Sequence, residues 1–143
     1  MRGTAPSIAA LAIVAGLCAE RGSAAGSSPP ALYSSAQASA GSKAYSASCA
    51  QCHGAQLEGG AGPALTGPNL RTLATKTKLT VGDMYGFISQ QMPMNAPASL
   101  SKDQYAAILA YILKFNGYPS GPRPLTAAQA DASKVIITSY KGT

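Results

Sequence analysis

Apolar residues return with helical spacing in two stretches of the chain. After Thr80, the residues Val81, Met84, Tyr85 and Ile88 fall at i, i+3, i+4 and i+7, one face of an α-helix. Thr80 with Asp83 three residues on makes a capping box, and Pro93 closes the helix. The second stretch is marked more clearly still. Ser101 is placed as N-cap with Gln104 completing the box, and Leu100 stands where it can staple against Tyr105. Tyr105, Ile108, Leu109 and Ile112 share one apolar face, and Asn116-Gly117 stops the helix. A weaker pattern predicts an earlier helix from near Ser35 to Cys49. Between these segments, Gly54 to Leu70 carries Gly59, Gly60, Gly62, Gly67, Pro63 and Pro68, which predicts loop. Beyond the last long helix, Tyr118 to Pro124 is turn-rich, Thr126 and Gln129 cap a short helix to Ser133, and Val135-Ile136-Ile137 reads as extended. Nothing alternates strand with helix, and no repeat appears. The expectation is an all-α domain of about three main helices joined by loops.

The N-terminal apolar run has a different character. Arg2 precedes Ile8 to Ala19, a run too short to span a bilayer, and Ser23-Ala24-Ala25 then offers a small-residue cleavage site before Gly26. Residues 1–25 are expected to be a secretory signal peptide, which in a Gram-negative cell sends the chain to the periplasm and leaves no transmembrane segment in the mature protein. Cys18 follows Leu17, whereas a lipid-attachment cysteine normally follows a small residue. Residues 26–34 read as a flexible Ser/Pro/Ala leader. Residues 35–143 then form one domain, with a C-terminal extension from about residue 118.

Removing 25 of the 143 residues leaves 118, enough for one core. The full chain carries 11 basic and 5 acidic residues, net +6, and loss of Arg2, Arg21 and Glu20 brings this to +5. A mildly basic balance suits docking to an acidic protein partner. No dense basic run with interleaved aromatics supports nucleic-acid binding. With one histidine, no Ser/His/Asp set for hydrolysis is in view.

The chemistry is concentrated in Cys49-Ala50-Gln51-Cys52-His53. Two cysteines three apart followed at once by histidine form the attachment signature of a c-type haem. Each thiol adds across one haem vinyl group, and the next residue falls beneath the porphyrin, where the imidazole of His53 binds iron. The motif occurs once, so one covalent haem c is expected. A structural zinc site would need four Cys or His ligands, and the only others here amount to Cys18. A thioredoxin-like pair would need a βαβ context that the pattern lacks.

Iron then needs a sixth ligand. Bis-histidine ligation within one chain is impossible with His53 alone, so the methionines are the soft candidates. Met84 lies on the apolar stripe of the helix that follows Thr80, where a core role fits better. Met92 and Met94 lie in Gln91-Met92-Pro93-Met94-Asn95-Ala96-Pro97, whose prolines hold the chain extended. Ligand chemistry alone does not separate these two.

The order Cys-x-x-Cys-His, Gly-Pro-x-Leu, Met-Pro and a final amphipathic helix with Ala-Tyr resembles a class I c-type cytochrome over roughly Gln37 to Gly117. That resemblance implies the small cytochrome c fold around one haem. Because the distal methionine of the family commonly precedes proline, it also implies Met92, with Met94 as the alternative. Gly62-Pro63-Ala64-Leu65, standing for Gly-Pro-x-Leu, implies that the Pro63 carbonyl accepts a hydrogen bond from the His53 ring and that Leu65 packs on the haem. Gly41 and Tyr45 are implied to cross Ile108 and Tyr111. The wording around Met-Pro and Asn-Gly-Tyr-Pro is similar to small proteobacterial cytochromes that serve periplasmic dehydrogenases.

With both axial positions filled, the expected role is a periplasmic electron carrier rather than an enzyme, taking electrons from a dehydrogenase and passing them to an oxidase or another cytochrome. Two other readings compete with it. One is a haem subunit held in a periplasmic dehydrogenase complex, and the other is a five-coordinate haem that binds ligands or peroxide. Arg71, Lys76 and Lys78 cluster before the helix that follows Thr80 and are candidates to line the haem edge, reach a propionate or steer an acidic partner.

Overall fold

Four of the six helices among the described residues start where a side-chain oxygen closes the first turn. The structure, a computed structural model, describes Met1, Gly3 and residues 29–140. Apart from Met1 and Gly3, the expected signal peptide lies outside the described residues, as do residues 26–28 of the leader. In chain order the elements are β1 (Tyr33–Ser34), α1 (Ser35–Ser48), α2 (Ala50–His53), α3 (Gly67–Thr77), α4 (Val81–Gln91), α5 (Lys102–Phe115), β2 (Ser120–Gly121) and α6 (Ala127–Asp131). Ser34 caps α1, and complete capping boxes open α4 at Thr80/Asp83, α5 at Ser101/Gln104 and α6 at Thr126/Gln129. The fold is all-α in substance. Among the described residues no helix is long and apolar enough to cross a membrane.

The centre of the molecule is the crossing of α1 and α5. A Cβ at Gly41 would run into the backbone carbonyl of Ala107, so the two helices approach as closely as they do only because residue 41 has no side chain. One turn on, the rings of Tyr45 and Tyr111 meet with centroids 5.2 Å apart. Leu109, Ile112 and Leu113 of α5 are fully buried, with Leu57 and Leu70 joining them from the segment after α2.

Three findings differ from the sequence expectations. Gly67 to Leu70 is not loop but the first turn of α3, which has Pro68 in its opening turn, buries Leu70 and Ala74, and ends at Lys78 in the left-handed conformation (φ 57°). Tyr33 and Ser34, expected to lie in a flexible leader, instead form β1. Tyr33 is 1% exposed, its hydroxyl donates to the Tyr118 carbonyl at 2.6 Å, and β1 pairs in parallel with β2. The segment beyond residue 118 is built into the core rather than appended to it. The Val81 and Gly82 amides of the first turn of α4, which have no partner inside their own helix, donate to the carbonyls of Val135 (2.8 Å) and Ser133 (3.1 Å). Ile137 is completely buried and its amide donates to Leu79 at 2.9 Å.

Candidate functional site

Cys49, Cys52 and His53 stand on the short helix α2, which leaves α1 at a break in direction at Cys49 (φ −127°, ψ −34°). Several bonds hold this turn. The Tyr45 hydroxyl of α1 donates to the Gly54 carbonyl at 2.7 Å, and burial pushes the Tyr45 phenol well above its ordinary range, so it stays a donor. The glycine-rich loop folds back on the turn, with Gly62 N–H donating to Cys52 C=O (2.9 Å) and Gly59 N–H to His53 C=O (2.8 Å). Neither Cys49 nor Cys52 is in a disulfide. Burial first, and then the neighbouring Cys52, raise the Cys49 thiol above the ordinary cysteine range.

The His53 ring is oriented by its surroundings. Nδ1 lies 2.8 Å from the Pro63 carbonyl oxygen. A carbonyl can only accept, so in the neutral ring Nδ1 carries the proton and Nε2 is left with its lone pair. A Cβ on Gly62 would come within 2.7 Å of His53 Cε1 and 2.9 Å of Nδ1, so the glycine backbone lies flat against the imidazole. The proline before which Gly62 stands and the ring it touches are thus placed by one short loop.

Met92 arrives from the other half of the chain, as the C-cap of α4. Its N–H donates to Ile88 at 3.2 Å, and its carbonyl accepts from the Tyr105 hydroxyl at 2.6 Å and from Ala98 N–H at 3.3 Å. The Met92-Pro93 peptide is cis. Met94, two residues on, is 81% exposed. Met84 is buried in the core and does not reach the site.

These pieces surround one cavity of about 660 Å³, lined by Cys49, Cys52, His53, Pro63 and Leu65 from the first half of the chain and by Ile88, Met92, Met94, Tyr105, Ile108 and Ile112 from the second. That volume is within the ordinary range for a cofactor pocket. No charged side chain lines it. The residues present fit a haem: apolar walls for the ring, two thiols at one side, an imidazole nitrogen with its lone pair available, and a thioether from a distant element. Arg71, Lys76 and Lys78 are not part of it. They lie on α3 and at its C-cap, none lines the cavity, and Arg71 donates to the Ser139 carbonyl at 3.1 Å.

Asn116 does not line the cavity but holds one of its walls in place, a role its sequence position does not advertise. It is fully buried, and its side-chain NH₂ donates to Leu65 C=O (2.8 Å) and Ile112 C=O (2.9 Å) while Oδ1 accepts from the Thr66 hydroxyl (3.0 Å). It therefore ties the loop carrying Leu65 to the end of α5. Locally it reads as a helix stop, which it also is, and no short-range signal distinguishes the second role.

An all-α fold wrapped around such a cavity defines a c-type cytochrome domain of class I. Residues 36–112 match the family model described as cytochrome c oxidase, cbb3-type, subunit III, more than half of the 143-residue chain, and the chain belongs to that family. Neither a curated protein nor a solved structure matches it. A domain of this family carries covalent haem c, Cys49 and Cys52 lie within the matched residues, and its work is haem-based electron transfer with redox proteins as partners.

Proposed function

We propose that the protein is a periplasmic electron carrier whose haem is attached through Cys49 and Cys52 and ligated axially by His53 and Met92. A haem with both axial positions filled supplies one-electron exchange between ferric and ferrous iron and has no open position for oxygen or peroxide. The observation that carries this reading is the convergence on one uncharged cavity of the His53 ring, its Nδ1 engaged by Pro63, and of Met92 at the end of α4. The Pro63 carbonyl fixes the imidazole's rotation and tautomer, and Leu65 packs as part of the wall. The apolar lining keeps water from the ring. The glycine-rich loop and the methionine loop both line the cavity, with Ala61, Met94, Asn95 and Ala96 exposed, and there a dehydrogenase donor and an oxidase or cytochrome acceptor would come closest to the haem.

The experiment is a redox titration of the holoprotein released from periplasm, followed in the visible spectrum. A single one-electron wave with a sulfur-to-iron charge-transfer band in the ferric form is expected. A high-spin, five-coordinate spectrum would instead make the protein a ligand-binding haem protein.

A second reading is favoured by the family's description as an oxidase subunit. In it, the cytochrome is held as a haem subunit of an oxidoreductase complex, such as a periplasmic dehydrogenase. Release by osmotic shock as a monomer supports the carrier, and co-migration with a large redox protein supports the subunit.

A further inference from the structure

The loop between α4 and α5 runs from Met92 to Leu100, and one hydroxyl meets both of its ends. Tyr105 is 3% exposed and lines the cavity from the first turns of α5. Its Oη donates to the Met92 carbonyl at 2.6 Å and accepts from the Leu100 amide at 3.3 Å. Within the loop itself only the longer Ala98 N–H bond reaches the Met92 carbonyl (3.3 Å), while Ala96 N–H is spent on Pro93 (2.9 Å). We propose that Tyr105 is the positioning residue of the methionine loop, its hydroxyl clasping the loop's two ends so that the Met92 side chain is held at the cavity. The inference rests on Met92 as the axial ligand.

The physical argument is one of populations. A loop that opens takes its methionine with it, and an added ligand such as imidazole competes only in the open state, so its apparent affinity reports how often the loop is open. The α5 end of the clasp does not move with the loop, because the Ser101/Gln104 capping box and the Tyr85 hydroxyl on the Lys102 carbonyl (3.3 Å) anchor that turn. Removing the hydroxyl leaves Leu100 N–H without this acceptor and Met92 C=O with the weaker of its two donors. The ring itself still fills its place in the cavity wall.

The test compares Tyr105→Phe with Tyr118→Phe. Tyr118 is equally buried, and its hydroxyl also bridges two backbone groups, donating to Ile136 C=O (3.2 Å) and accepting from Thr138 N–H (3.1 Å), but on the C-terminal strap. Imidazole affinity of the ferric holoprotein should rise about tenfold in Tyr105→Phe, as expected for the loss of about two neutral hydrogen bonds, and amide exchange at Leu100 should quicken. Tyr118→Phe should lower the melting temperature without changing either. Unchanged imidazole affinity and unchanged Leu100 exchange in Tyr105→Phe would overturn the inference, as would an equal rise in imidazole affinity in Tyr118→Phe. A wild-type ferric spectrum without the sulfur-to-iron band would overturn the ligation instead, so the two failures are told apart before any variant is made.

Discussion

Met92 and Met94 are two residues apart and both touch the cavity, yet they are held very differently. Met92 has its N–H in the last turn of α4 and its carbonyl bound twice, whereas Met94 is 81% exposed at the rim. A ligand to iron must be presented in one geometry, and the restrained residue meets that requirement at lower entropic cost. Met92→Leu is therefore expected to abolish the sulfur-to-iron band and lower the reduction potential, because thioether ligation favours ferrous iron. Met94→Leu should keep both. The reverse pattern would move the ligand to Met94, and a band surviving in the double variant would require Met84, which packs in the core away from the cavity.

At the scale of elements, the helices that announce themselves in the sequence are those that close their own ends. The three capping boxes and the apolar stripes of α4 and α5 depend on residues within a turn or two of one another, and they stand where the pattern puts them. What the sequence hides is non-local. α3 opens on Gly67-Pro68, a pair that also reads as loop, and is rich in threonine, so its local pattern is ambiguous and packing of Leu70 and Ala74 decides it. The pairing of Tyr33 with Ser120, the grip of Asn116 on Leu65 and the bond from Tyr105 to Met92 each join segments whose local sequence carries no mark of the other. Two predictions belong here. Gly41→Ala pushes a methyl into the Ala107 carbonyl and should cost about 1–3 kcal/mol in denaturant unfolding through overpacking at the α1/α5 crossing. For α4, the Thr80 hydroxyl and then the Thr80 amide hold the Asp83 carboxyl below its usual range. A carboxyl lowered on folding adds stability that is present above its unfolded value, near pH 4, and is lost as pH falls through the lower folded value. The gap in melting temperature between wild type and Asp83→Ala should accordingly narrow below about pH 4, and a gap constant down to pH 2 would remove the charge from the explanation.

At the scale of the molecule, a net charge of +6 invites the view that an acidic partner is steered in by lysines. Their placement keeps them out of the cavity wall. Arg71, Lys76 and Lys78 sit on or just after α3, outside the cavity, and the exposed residues that line it are uncharged: Ala47, Gln51, Cys52, Ala61, Pro63, Met94, Asn95, Ala96 and Ser99. A partner seated at the cavity mouth would feel little of any charge more than a Debye length away, about 10 Å at 0.1 M salt. A partner that docked there would rely on shape and on apolar contact around exposed Met94, which salt hardly touches. Electron exchange with an acidic redox protein should thus change by less than about threefold between low and physiological ionic strength, and the double variant Lys76→Glu/Lys78→Glu should leave the rate as it is. A steep fall with salt, abolished by that same double variant, would put the partner on α3 instead and make the lysines, rather than the mouth, the place where electrons enter.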